Sequence, residues 1–200
     1  MRKVIAVVCI LALGTLGPLP ARGAPGSPSD VVRHFYATLL EAMKKGPELG
    51  AKGRYKTLEP VVLANFDVRF MTRMATGPTW GRLSADEKEQ AWKAFARYIT
   101  ATYASQFSKY DGERFDVLGE EKIKHGTVVR TRIVPSGGDA VAINYVLHDN
   151  DTAWQIRDIY LTGTISELAT RRSEFVAILR NGGIAALITQ LNKKADDLIG

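Results

Sequence analysis

The sequence has little reactive chemistry to offer. It holds one cysteine, Cys9, and three histidines, His34, His125 and His148, in 200 residues. A single thiol excludes an internal disulfide framework. No histidine stands at metal-ligand spacing from another histidine or from the cysteine, which excludes the usual zinc patterns. His34 lies beside the apolar face of a first helix, and His125 and His148 lie at strand ends or turns, where surface or structural roles account for them. GxSxG, P-loop, HExxH and GxGxxG are all missing. Lysine and arginine never run longer than two, so a nucleic-acid reading has no support. The one dense group of oxygen ligands, "HDND" at 148–151, is explained by Asx turns in a hairpin without invoking a cation.

A long apolar run occurs only at the N-terminus. Arg2 and Lys3 precede "VIAVVCILALGTLG", and "PLPARGA" follows with Ala21 and Gly23 at a cleavage spacing. That pattern reads as a secretory signal peptide over residues 1–23, too short and wrongly flanked for a stable span. Cys9 lies inside it without the lipoprotein cleavage pattern. Three of the 27 Lys and Arg residues also lie inside it, so cleavage halves the net charge of +6. The expectation is an exported, periplasmic, monomeric protein with mild basicity suited to brief contacts with anionic surfaces. Residues 24–29, "APGSPS", read as a flexible tether, and 30–200 as one domain.

What is present is periodicity. Ser29 reads as the cap of a first helix with Val32, Phe35, Leu39 and Met43 on one face, stopped at Gly46-Pro47. A second, shorter helix runs through "LEPVVLANF". Asp67 caps a third, "VRFMTRMAT", with Phe70, Met71 and Met74 inward, ended by Gly77-Pro78. Ser84 and Glu87 form a capping box opening a long helix to about Tyr110. Trp92, Phe95, Tyr98, Ile99, Tyr103, Phe107 and Tyr110 lie along one stripe of it. Such a stripe is either core or the wall of a pocket for something apolar.

The period then changes to two. "RFDVLGE", "TVVRTRIV", "AVAINYVL" and "AWQIRDIYL" read as four strands joined by turns such as "PSGGDA" and "HDNDTA". Val141, Ile143, Tyr145 and Leu147 share one face, as do Trp154, Ile156, Asp158 and Tyr160. Thr164 and Glu167 read as a further capping box. The helix it opens carries Leu168, Phe175, Ile178 and Leu179, and Gly182-Gly183 breaks it. A last helix bears Ile184, Leu187, Ile188, Leu191 and Leu198. The expected class is α+β: a four-stranded antiparallel meander covered on one face by N-terminal and C-terminal helices, enclosing an apolar cleft.

Asp158 carries the alternative function. A carboxylate among Trp154 and Ile156 is costly unless paired. It is either a general base in a small α+β enzyme or half of a structural ion pair with Arg130, Arg132, Arg171 or Arg172, the latter being favoured. An exported scaffold protein is the third class.

The longer wording resembles a known family. "NFDVRFMTRMATGPTW", "ADEKEQAWKAFARYITATYASQFSKYDGE", "VVRTRIV" and "INYVLHDNDTAWQIRDIYLTGTISELATRRSEFVAILRNGG" are similar to the MlaC family of periplasmic lipid-binding proteins, over about residues 30–195. "GRYKTLEPVVLANFDV", "ATYASQF" and "RTRIVPSGGDAVAINYVL" resemble its hopanoid-associated branch, HpnM. The resemblance implies a shuttle carrying phospholipid or hopanoid, with no cofactor or metal. It implies an inner-membrane transporter of ABC/lipid-ring or RND type as partner, and an outer-membrane lipoprotein complex. The expected lining comes in three groups: Phe70, Met71, Met74 and Trp80; Phe95, Ile99 and Tyr103; and Val129, Ile143, Tyr145 and Trp154. Gly77-Pro78 and Gly182-Gly183 are candidate hinges, and Arg171 and Arg172 exposed candidates for docking.

Overall fold

The computed structural model describes residues 26–200, so the leader read over 1–23 lies outside the described residues. The chain runs α1 (Pro28–Lys44), α2 (Gly46–Asn65), α3 (Val68–Thr76), a 3-10 turn (Gly77–Arg82) and α4 (Ala85–Gln106). Then come β1 (Arg114–Ile123), β2 (Gly126–Val134), β3 (Val141–Asp149), β4 (Trp154–Leu161), β5 (Ile165–Ser166) and α5 (Glu167–Ile199). The strands form one antiparallel meander in the order β1-β2-β3-β4-β5. The α+β class and the meander are as expected, with the two-residue β5 added.

Helix starts follow local hydrogen-bond accounting. Ser27, not Ser29, caps α1: its Oγ accepts from the Asp30 N–H, and the Asp30 carboxylate accepts from the Ser27 N–H. Pro28 falls at the first helical position, where its missing N–H costs nothing and its φ is already right. Ser29 is buried, and its N–H is taken by Glu120 of β1 at 2.8 Å. Asp67 caps α3 and Ser84–Glu87 box α4 as expected. At α5 the cap is Ser166 rather than Thr164, because Ile165 and Ser166 first pair with β4.

The second helix is longer than "LEPVVLANF". It runs from Gly46, bends at Gly50, and tolerates an exposed Pro60 inside it. Gly183 bends α5 in the same way, with φ 66 and ψ −165, a region essentially closed to residues with a Cβ. The expected break is therefore there, as a bend between two helical halves.

The sheet buries one face. Val129, Thr131, Tyr145, Leu147, Ile156 and Ile159 point to the helices. The other face carries exposed charge, with Asp116 bridging Arg114 and Arg132, and Glu121 reaching Arg130. α1 supplies the centre of the core: Val32, Phe35, Tyr36, Leu39 and Met43 are all buried, with Phe35 edge-on to Phe66 and Tyr103. α4 packs against α5, α2 and α3.

A bulge decides what β4 shows. Val146 pairs with Asp158, but Leu147 pairs with Ile156, so Arg157 is left over. An unpaired residue shifts the alternation by one. Ile156 and Ile159 both point inward, and Asp158 and Tyr160 turn to the opposite face. The single face expected for Trp154, Ile156, Asp158 and Tyr160 is thereby corrected.

Candidate functional site

The two faces of α4 are built from different residues. Ala91, Ala94, Ala96, Thr100, Ala101 and Ala104 are its buried positions, together with Phe95. Small side chains let neighbouring helices come close, so α4 is held by a face that needs little volume. The large residues Tyr98, Ile99, Tyr103 and Phe107 are only half-buried. They face a cavity of about 170 Å³.

Opposite them stand Ile143 and Tyr145 of β3 and Ile159 and Leu161 of β4. Phe66, Met71 and Phe95 close the cavity in the direction of α2 and α3. Thr102 and Gln106 of α4, and Glu167, Leu168 and Arg171 of α5, complete the lining and supply most of its polar groups.

The polar side is internally neutralised. Arg171 donates to Glu167 at 3.0 Å and to Glu174 at 2.9 Å, and its guanidinium lies 5.5 Å from the Tyr98 ring centre. A cation shared by two carboxylates is not free to bind an anion tightly. Arg171 is thus mostly engaged at the cavity, while Arg172 is exposed.

Phenols cluster beside the cavity: Tyr36 of α1, Tyr103 of α4 and Tyr145 of β3. Tyr36 donates to Thr131 Oγ1 at 2.6 Å, because the Thr131 hydroxyl itself donates to the Ile143 carbonyl. Burial pushes the Tyr103, Tyr145 and Tyr36 phenols above their ordinary value, and for Tyr145 the neighbouring Tyr103 and Tyr36 add to the rise. Tyr103 keeps some accessible surface and lines the cavity. All three hydroxyls stay neutral at physiological pH.

Six of the eleven expected lining residues come together here: Met71, Phe95, Ile99, Tyr103, Ile143 and Tyr145. The other five do not. Met74 is on the exposed side of α3, not inward. Phe70 is half-buried under Arg157, whose guanidinium sits 4.3 Å from the ring centre while Nε donates to Asp67 at 2.9 Å. Trp80 belongs to the 3-10 turn, beside Lys88. Val129 is fully buried in the core. Trp154 pairs with Asp149 at the hairpin end, away from the Tyr145–Ile159 rung.

Ile159 and Leu161 were missed because only the bulge brings them inward. Tyr98 and Phe107 were visible on the stripe. Asp158 is occupied by structure. Its Oδ1 accepts from the N–H groups of Ile159 and Leu168, and its Oδ2 from the Ser166 hydroxyl at 2.6 Å. The expected arginine partner is corrected to these donors: Arg130, Arg132 and Arg171 pair with Glu121, Asp116 and the two α5 glutamates. Among the described residues no group of three or more His, Cys, Asp or Glu side chains is placed to hold a metal, and no helix is long and apolar enough to cross a membrane.

A five-stranded antiparallel meander and a layer of bent helices with an apolar cavity between them define an α+β class of protein whose largest side chains wall a hollow rather than fill it. Residues 33–193 match the family described as MlaC protein, and the chain belongs to the MlaC family. It is 24% identical over 128 residues to the intermembrane phospholipid transport system binding protein MlaC of Haemophilus influenzae. That match takes in 62% of this chain and 59% of the relative's length. The fold is similar to that of a phospholipid-binding protein of Ralstonia solanacearum solved in complex with a phospholipid. The TM-score is 0.76 at 18% identity, covering 88% of this chain and 100% of the other.

Proposed function

We propose that this protein is a periplasmic lipid-binding shuttle that carries phospholipid between inner and outer membranes. The observation that carries the proposal is the apolar cavity between α4 and the sheet, in a chain of the MlaC family. Burial of a hydrocarbon chain yields about 0.8 kcal/mol per CH₂, and no charge on the sheet wall opposes it. A head group left in water needs no dedicated partner. The exchange partners in this reading are an inner-membrane transporter and an outer-membrane lipoprotein complex, and the shuttle acts as a monomer. The wording shared with the HpnM branch favours a second cargo, a hopanoid, in the same cavity.

Release requires the cavity to open. The Gly183 bend divides α5 into halves: the first lines the cavity and meets α4 through Phe175 on Phe95, and the second is tied to α4 by Arg97, which donates to the Asn192 carbonyl at 3.0 Å. Small shifts of the first half against the sheet widen the gap.

The test is native mass spectrometry of protein purified without detergent from its own periplasm, followed by lipid extraction. Co-purifying phospholipid supports the proposal, and hopanoid selects the second cargo. A lipid-free protein that takes up neither from vesicles sinks both. Tyr103→Asp is expected to abolish retention, since a carboxylate there faces hydrocarbon. Ile99→Trp, which fills the cavity without charge, is expected to do the same if the cavity is the site.

A further inference from the structure

A second hollow lies on the far side of the cavity's own wall. It is a groove of about 450 Å³ between α1 and the start of β1, with Ala37, Leu40, Phe115 and Val117 as its apolar lining. Arg33, Glu113 and Arg114 border it. The rings that line the groove touch the rings that line the cavity. Phe115 of the groove lies 6.1 Å, centre to centre, from Phe107 of the cavity. Tyr36 of the groove lies 5.7 Å from Tyr145 of the cavity. Both distances are those of contacting aromatic pairs.

The two pairs differ in freedom. Tyr36 and Tyr145 are fully buried, and Tyr36 is fastened to Thr131. Phe107 and Phe115 are both half-buried. Phe107 is also the C-cap residue of α4, with non-helical φ −102 and ψ 62; its ring stacks on Tyr103 at 5.9 Å, and Phe115 leans on Tyr36 at 4.8 Å. The partition therefore has a fully buried leaf and a half-buried leaf without a hydrogen bond to fasten it, and the second is the one that can part.

Size makes the half-buried leaf matter. A cavity of about 150 Å³ holds roughly one benzene, and the cavity here is about 170 Å³. Ligand pockets for larger molecules run from about 300 Å³ upward. The groove supplies the missing volume, one ring pair away.

On the carrier reading above, we infer that the distal end of a long acyl chain passes between Phe107 and Phe115 and comes to rest in the α1–β1 groove. The groove is a second compartment for the same lipid, and its occupant is saturated hydrocarbon. Short chains stay in the cavity. The Phe107–Phe115 pair thus sets which chain lengths are held in one compartment and which in two.

The experiment uses the full chain loaded from phosphatidylcholine vesicles whose lipid carries a photoreactive diazirine at the end of one acyl chain. After irradiation, the labelled peptides are mapped by mass spectrometry. A long-chain probe is expected to label Ala37, Leu40 and Val117, and a short-chain probe only cavity residues such as Ile99 and Ile143. Phe115→Trp, which thickens the partition, is expected to shift long-chain labelling from the groove back to the cavity. Long-chain labelling confined to the cavity overturns the inference and leaves the carrier reading standing. Equal groove labelling by the short chain also overturns it, since that is adsorption from outside. Failure of either probe to load overturns the carrier reading itself.

Discussion

α1 and α4 both carry aromatic residues on the faces they turn inward and use them differently. In α1, Phe35 and Tyr36 are buried to completion, with Phe35 0% and Tyr36 4% exposed. In α4, Tyr98, Tyr103 and Phe107 stop half-buried against empty space. A stripe of large apolar residues identifies a face, not what fills the space in front of it. The difference shows in the rest of each helix. α1 packs through its large residues, so they are its core. α4 packs mainly through alanines, threonines and Phe95, and Tyr98, Tyr103 and Phe107 each keep a side turned to the cavity, Tyr103 packing edge-on to Phe35. A helix held by small residues on one face and carrying rings on another is a helix built to wall a hollow.

The sharpest way to break that comparison is to truncate both faces alike. Phe35→Ala is expected to cost about 3–5 kcal/mol, as for a large aromatic removed from a closed core. Ile99→Ala removes a side chain already facing a void, so only part of its transfer energy is at stake, about 1 kcal/mol. Urea unfolding of the two variants measures this directly. Equal losses would mean that the α4 face is core after all.

The next largest effect concerns how α4 is held. Arg54 is buried, and among the described residues it forms no salt bridge. Its Nε donates to the Ala104 carbonyl at 2.7 Å and its guanidinium to the Gly46 carbonyl at 3.0 Å. Ala104 is among the last carbonyls of α4, which have no helical partner and carry the negative end of the helix dipole. One arginine thus ties the end of the cavity-bearing helix to the start of α2. Arg54→Ala is expected to cost about 2–3 kcal/mol, since two buried acceptors lose a charged donor. Arg54→Lys should recover only part of it, because an ammonium cannot span both carbonyls in a planar fork. Full recovery would show that charge, not geometry, holds the helix end.

Much of this architecture was legible before any coordinates. The caps at Asp67 and Ser84, the meander, the Gly183 bend and the aromatic stripe all follow from local rules that the chain obeys. Three features were not legible, each for a physical reason. Arg54 has no local partner, so its role exists only once residues 46 and 104 are brought together. The Arg157 bulge leaves no mark in an alternating pattern, because "WQIRDIYL" reads as regular either way. That one residue reverses the second half of β4, hiding Asp158 in a web of Ser166 and backbone donors and exposing Ile159 and Leu161 to the cavity. Phe70 is hydrophobic and on the right helix, yet Arg157, pulled over by Asp67, covers it. Of the expected lining that lies elsewhere, Phe70 is the residue whose placement a distant partner decides, while Met74 turns to the exposed side of its helix and Val129 into the core.

The smallest effect tests how dry the wall is. Tyr36, Tyr103 and Tyr145 have phenols raised by burial, so the folded state holds their protons more tightly than the unfolded chain does. Their contribution is fully present below the unfolded value of about 10 and is lost as pH climbs through it toward the folded values. Phenolate absorbance from these three should therefore appear together with loss of secondary structure, not before it. Tyr55 is raised too, by partial burial and by donating to Glu59, so the titration belongs in a Tyr55→Phe background. Loading with lipid should move the transition further up, because hydrocarbon against Tyr103 and Tyr145 replaces whatever water the cavity admits. If those phenols ionise near pH 10 with the fold intact, water reaches the sheet wall freely, and α4 would then differ from α1 in being wet rather than in being reserved for a ligand.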